Sequence, residues 1–416
     1  MPSTLRDPSN PTDVLVLGAG PAGSTAANLL ARQGLRVRVL ERALFPRFHI
    51  GESLLPCDLP IFERLGLDAG AHGAFLRKAG AEFYDERTGE WAEHPFDTAL
   101  PGTPTYAYQV DRAQFDLALA NLAIGHGADV RFGCRATKVE IDDAGVRVES
   151  EDGEVHGARY LLDATGQDAF LGRKGRSLEP IRGVGVVAAY TRYEGLGPEA
   201  RAALEERGNI KVLLLDDAWA WLIPLSGGAL SVGAVTRRRG AGLDVLEEVI
   251  EGSPLLAELT RGATRTEPRL IRHFAYLNKK PYGARYACIG DASAFLDPVF
   301  SSGVSLAMLG AELASDALGE ALARGEEGDA ALMTGPSSRR RDAYRVFGSI
   351  VKGFYSTGLA RSFLLHPSPE PKVRAGLVSI LAGDVWREDN DFQRMLLAGR
   401  RRWDPEPLLQ GAEASA

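Results

Sequence analysis

Near the N-terminus, Asp13-Val-Leu-Val-Leu-Gly18-Ala-Gly20-Pro21-Ala22-Gly23-Ser24 sets three glycines in G-x-G-x-x-G spacing. An apolar run of strand type precedes them, and a helix-compatible segment from Pro21 to Gln33 follows. In that spacing the first glycine permits a tight turn, the second lets backbone amides approach a pyrophosphate, and the third lets the helix lie against the strand. The helix N-terminus then offers partial positive charge to an anion. Eighteen residues past Gly23, a second strand-like run, Arg36 to Leu40, ends in Glu41, where a carboxylate can accept from a ribose hydroxyl. Gly18, Gly20, Pro21, Ala22, Gly23 and Glu41 therefore predict a dinucleotide site. Two later segments, Asp163-Ala-Thr-Gly166 and Gly290-Asp291, carry related chemistry. Asp291 can face polyol hydroxyls, cap a helix, or do both.

Other residues are chemically suggestive and individually ambiguous. Lys78 follows Phe75-Leu76-Arg77 and enters the alternating stretch Ala79 to Tyr84; a lysine beside an arginine is more often a solvated charge. Trp219 and Trp221 stand two apart, so on a strand both rings face one side, usually a core. Cys57, Cys134 and Cys288 are odd in number and lack CxxC spacing, which argues against a disulfide framework or a metal site and fits a reducing cytoplasm. The net charge of −7, with acids and bases interspersed, argues against a nucleic-acid partner. The triplets Arg237–Arg239, Arg339–Arg341 and Arg400–Arg402 read as solvated faces. No apolar run approaches the ~18 residues of a membrane span, so a soluble, unprocessed protein is expected.

The 416 residues exceed a single core, and the pattern predicts an α/β chain. Residues 1–75, 106–180 and 277–335 are expected to form a discontinuous Rossmann-like domain. The apolar, β-branched stretches within 76–105 and 181–276 are expected to form an inserted antiparallel sheet facing substrate. Residues 336–416 should be a C-terminal helical region with a disordered tail.

In their order along the chain, the three glycine-and-acid segments resemble the FAD-binding domain of the aromatic hydroxylase superfamily. Within it the chain is most similar to the flavin-dependent halogenases of pyrrole and phenol type. Pro46-Arg47-Phe-His49-Ile-Gly51-Glu52-Ser53-Leu-Leu-Pro56 resembles their GES loop, and Trp219-Ala-Trp221-Leu-Ile223-Pro224 their W-x-W-x-I-P motif. Gly290 to Val304 resembles the segment lining the flavin and halide, and Lys78 stands where such members carry a catalytic lysine. The resemblance implies FAD, held by the glycine turn and Glu41 with Arg42, Arg47, Glu52, Ser53, Arg112, Asp163, Gly166, Asp291, Pro298, Gly303 and Val304. It implies a halide on the amides of Ser302 and Gly303, dioxygen, and a separate flavin reductase, since no second glycine fingerprint offers a nicotinamide site. Hypohalous acid would be relayed to Lys78, with Trp219 and Trp221 as a barrier, and would place chlorine or bromine on an aromatic substrate, free or carrier-bound.

Tryptophan halogenases place a glutamate before the Ser-Thr-Gly stretch, where this chain has Phe300, so the resemblance points away from free tryptophan. The chain beyond 390 is short, which leaves little for a lid. Covalent attachment of FAD through Asp297 is left open. The rival readings are an aromatic monooxygenase, a geranylgeranyl-reductase-type oxidoreductase, whose motif Trp219 to Pro224 meets in part, and a silent flavin-binding protein.

Overall fold

A computed structural model describes residues 12–70, 72–356, 358, 360–399 and 402–404. The expected disordered tail falls almost wholly outside these described residues.

The nucleotide-binding half is an eight-stranded sheet. Strand Thr12–Leu17 lies at its centre, parallel to Val155–Asp163 on one side and Val37–Glu41 on the other. Asp129–Phe132 and Tyr286–Cys288 extend the sheet, also in parallel. Val14 to Leu17 are buried on both faces, which is why this strand reads as an unbroken apolar run rather than an alternating one. Helix Pro21–Arg32 follows the glycine turn and packs its alanine-rich face against helix Ser302–Arg324. The two expected strands flanking the glycine turn and this first helix are present, with boundaries moved by a residue or two.

A second eight-stranded sheet takes, in order, Val187–Glu194, Ala229–Thr236, Ala218–Leu225, Ile210–Leu214, Gly80–Asp85 and Glu90–Pro95, with two short strands on its outer edge. It is not purely antiparallel as expected. Ile210–Leu214 runs parallel to Gly80–Asp85, with Ile210 opposite Ala81. That joint connects two separately inserted pieces of chain, and no hairpin fixes their relative direction. Period-two alternation sorts the side chains: Trp219, Trp221 and Ile223 face one core, while Ala220 and Leu222 face another. Lys78 is not part of this sheet. It ends strand Phe75–Lys78, which pairs with Ala107–Val110 in a separate two-stranded ladder.

Helices Thr334–Ser356, Pro371–Leu381 and Asp391–Ala398 form the helical C-terminal region and cover the tryptophan face of the second sheet. Among the described residues no helix is long and apolar enough to cross a membrane.

The sheet makes room for its largest rings by omission. A Cβ at Gly233 would lie 2.1 Å from Trp221 Cζ2. Gly233→Ala should therefore cost about 1–3 kcal/mol as an overpacked core, read as a lower denaturant midpoint at unchanged m-value. An unchanged midpoint would show that the Trp221 ring can turn aside.

Candidate active site

The glycine turn has no room for side chains. Gly18 has φ +95°, and a Cβ there would sit 2.4 Å from the Ala164 carbonyl; one at Gly23 would sit 1.9 Å from the Gly18 carbonyl. Gly20 faces outward, where its nearest neighbour would be Arg47 Nη2 at 3.7 Å. Glu41 Oε2 accepts from the Ala19 amide at 2.8 Å and Oε1 from the Ala43 amide at 2.9 Å, so one buried carboxylate joins the turn to the end of the second strand.

Two arginines crowd this cradle, and the buried Asp116 pairs with both. Asp116 accepts from Arg47 at 3.0 Å and in bidentate fashion from Arg112 at 2.8 and 3.0 Å. Arg112 also donates to the carbonyls of Ile50, at 2.8 Å, and Gly51, at 3.2 Å, which holds the 46–56 loop over the turn. Asp291 is half-buried, and its carboxylate meets no donor among the described residues. Burial pushes its pKa up to about 7, against the pull of Arg112. A glycine cradle under an arginine, facing an acid without a donor, fits a pyrophosphate and polyol such as those of FAD.

Several side chains expected at the cofactor have partners within the protein. Asp163 accepts from the amide and hydroxyl of Thr165 and from the Leu171 amide, at 2.6 to 3.1 Å, and so closes its own loop. Glu52 is fully buried and paired with Arg192, whose Nε lies 2.9 Å away and whose Nη1 also reaches Asp111 at 2.7 Å. Arg42 is half-exposed and paired with Asp168. Gly166 holds a left-handed turn at φ +62°. Ser53 belongs to the lysine.

Lys78 is 1% exposed. Its Nζ donates to Ser53 Oγ and to the Leu54 carbonyl, both at 2.9 Å, and lies 5.3 Å over the Phe96 ring. Burial pushes its pKa down to about 7; the buried Asp58 carboxyl nearby acts in the opposite sense. A small cavity has Lys78, Leu55 and Phe83 on one side and Val299, Phe300 and Ser301 on the other. Ser301 is left-handed at φ +56°, and the 23-residue helix begins at Ser302, so Ser302 and Gly303 stand at its amino end beside this cavity. Pro298 opens the short turn before it, and Val304 packs below Gly51.

Trp219 and Trp221 are buried with ring centroids 5.9 Å apart. The Trp221 indole donates to Ser231 Oγ at 3.2 Å. The Trp219 indole donates to Tyr355 at 2.8 Å, and Tyr355 to Asp297 Oδ2 at 2.7 Å. Asp297 also accepts from the amides of Gly185 and Val299, and burial pushes its pKa up to about 6. Asp58, Asp116, Arg192 and Tyr355 escaped the reading of the sequence. Their links to Arg47, Lys78, Glu52 and Trp219 join residues 20 or more apart in the chain, which no local motif marks.

Two outcomes follow. Glu41→Arg removes two charge-assisted hydrogen bonds of about 1.5–3 kcal/mol each and adds a third cation to the cradle. FAD affinity, titrated by flavin fluorescence, should fall by roughly a hundredfold or more; an unchanged affinity would place the ribose elsewhere. For Lys78, between the folded pKa of about 7 and the ordinary 10.5 the unfolded chain carries a proton that the folded chain lacks. Its contribution to stability therefore rises with pH over that window. Urea unfolding should show the wild type gaining on Lys78→Met by about 1 kcal/mol per pH unit near pH 8 to 9, and parallel pH profiles would refute it.

The chain is similar to known proteins along most of its length. The FAD binding domain family matches residues 11–170 and the tryptophan halogenase family residues 97–357. The chain is 34% identical over 327 residues to the tryptophan 2-halogenase of Chondromyces crocatus, covering 73% of this chain and 60% of that relative's length. It is 27% identical over 434 residues to the 1H-pyrrole-2-carbonyl-(peptidyl-carrier protein) chlorinase of Pseudomonas fluorescens, covering 95% of each. Among solved structures, a flavoprotein/dehydrogenase from Cytophaga hutchinsonii superposes with a TM-score of 0.84 at 28% identity, over 97% of this chain and 100% of that one. With the halogenase match spanning more than half of its length behind an FAD-binding domain, the chain belongs to the flavin-dependent halogenase family.

Proposed function

We propose that this protein installs chlorine or bromine on an electron-rich aromatic of pyrrole or phenol type, with hypohalous acid relayed to Lys78. The observation that carries this reading is the buried Lys78 amine, which shares one cavity with the Val299–Ser301 approach to the long helix. FAD, when bound and reduced by a separate flavin reductase, would supply the chemistry that turns halide and dioxygen into hypohalous acid.

The chain's own residues do the rest. The amides of Ser302 and Gly303, at a helix amino end, hold the halide. Lys78, with a pKa near 7, presents a largely neutral amine above that pH. Its Nζ either hydrogen-bonds hypohalous acid or attacks the halogen, giving an N–halogen bond and releasing water. Ser53 and the Leu54 carbonyl aim the nitrogen, because they fix it from one side only. Both indole N–H groups of Trp219 and Trp221 are taken by protein partners, which leaves an apolar wall suited to keeping organic substrate from the flavin. Arg47, Arg112 and Asp291 serve the cofactor directly, while Glu52, Asp163 and Asp116 hold the loops that form its pocket.

On this reading residues 76–105 and 181–276 face the substrate, and the remaining nucleotide-fold segments hold FAD. Phe300 is buried edge-on against Phe354 with centroids 5.9 Å apart, so no carboxylate stands there to receive the amine of free tryptophan. The chlorinase relative named above for a carrier-bound pyrrole supports testing carrier-loaded as well as free pyrroles and phenols.

The reduced holoprotein is incubated with bromide, dioxygen and that panel, and products are read by mass. Bromine in the product supports halogenation; a single added oxygen identifies a monooxygenase, and no product a silent flavoprotein. Lys78→Ala should keep FAD and flavin reoxidation yet lose ring halogenation, and Lys78→Arg should fail almost as fully, since a guanidinium stays protonated. Regioselective halogenation above about a tenth of the wild-type rate, a loss of only ~1.4 kcal/mol, would remove Lys78 from the mechanism.

A further inference from the structure

The triplet Arg339-Arg340-Arg341, expected to be a solvated face, divides. Arg339 stacks over the exposed side of Trp386, with its guanidinium 5.7 Å from the ring centroid. Arg340 turns inward beneath helix Thr334–Ser356. Its Nη1 donates to the Cys288 carbonyl at 3.2 Å, and its Nη2 reaches Ser337 Oγ only at 3.5 Å. Its stem runs along Gly310 of the long helix, where a Cβ would lie 3.4 Å from Arg340 Cδ. Among the described residues no carboxylate forms a salt bridge with it.

A part-buried guanidinium without a carboxylate partner is unfavourable, and the charge of Arg341 adds to the positive potential there. The guanidinium looks into a cavity of about 20 Å³ walled by Pro281, Tyr282, Ile289, Ala314, Met333 and Pro336. That volume is on the scale of one water or one atomic ion. The Tyr282 hydroxyl, a loose 3.4 Å from Thr334 Oγ1, and Ser337 add donors. A weakly hydrated cation among mostly apolar walls suits a weakly hydrated, monatomic anion.

We propose that the Arg340 cavity binds a single chloride or bromide ion, at a site separate from the amides of Ser302 and Gly303. Gly310 lies eight residues along the helix from Ser302, which puts the two sites roughly 12 Å or more apart. The ion joins the 281–289 segment to helices Ser302–Arg324 and Thr334–Ser356. It is held there and takes part in no bond-making step, so the proposal does not depend on the enzyme's substrate or on Lys78.

The test uses FAD-loaded protein and sodium bromide. Anomalous X-ray data from wild-type crystals in bromide should place a bromide peak against the Arg340 nitrogens. In solution, bromide or chloride should raise Tm by about 2 °C more than sodium gluconate at the same ionic strength, and Arg340→Met should lose that halide-specific difference. No anomalous peak at Arg340 overturns the proposal, as does a halide-specific rise that Arg340→Met retains. If Arg340→Met does not fold, the wild-type anomalous map decides.

Discussion

The arrangement of this protein follows from placing a lysine amine where water does not reach. An amine 1% exposed is costly as an ammonium, and the fold meets that cost in two ways. It lets the proton leave near neutrality, and it supplies oxygens from Ser53 and Leu54. Those oxygens lie on a loop with no regular structure of its own, so the loop must be fastened from outside. Glu52 fastens it to the second sheet through Arg192, and Arg112 fastens it to the nucleotide side through the carbonyls of Ile50 and Gly51. The loop is thus the hinge between two sheets, and the amine sits where both hold it.

The same economy governs the nucleotide side. Asp116, fully buried, bridges Arg47 and Arg112, which holds two cations close to the glycine turn and offsets part of their repulsion. Asp291 is treated oppositely and keeps an acceptor that meets no donor among the described residues. One acid is consumed in organising the site and the other is left facing it, although in sequence both are simply aspartates near glycine or helix starts.

Legibility follows the range of the interaction. The glycine turn, Glu41 and the buried first strand were readable because turn, strand and helix lie within 30 residues and each leaves a local pattern. Trp219 and Trp221 were readable as a shared face for the same reason. The parallel joint between Ile210–Leu214 and Gly80–Asp85 was not, since it depends on packing of pieces more than 100 residues apart. The partners of Asp163 and Glu52 within the protein were not readable either: Thr165 bonds the first and Arg192 the second, and no spacing announces either contact.

The tryptophan wall has a chemical consequence of its own. Indole and phenol rings belong to the electron-rich class on which the proposed electrophile acts, so Trp219, Trp221 and Tyr355 are themselves vulnerable to it. Close packing protects them: Trp219 is 1% exposed with Phe354 edge-on to it, Trp221 is wedged over Gly233, and the Tyr355 hydroxyl is fully engaged between Trp219 and Asp297. Under the proposed function, a wall of oxidisable rings endures only while no ring carbon is open to approach, so tight packing would double as resistance to self-inflicted damage.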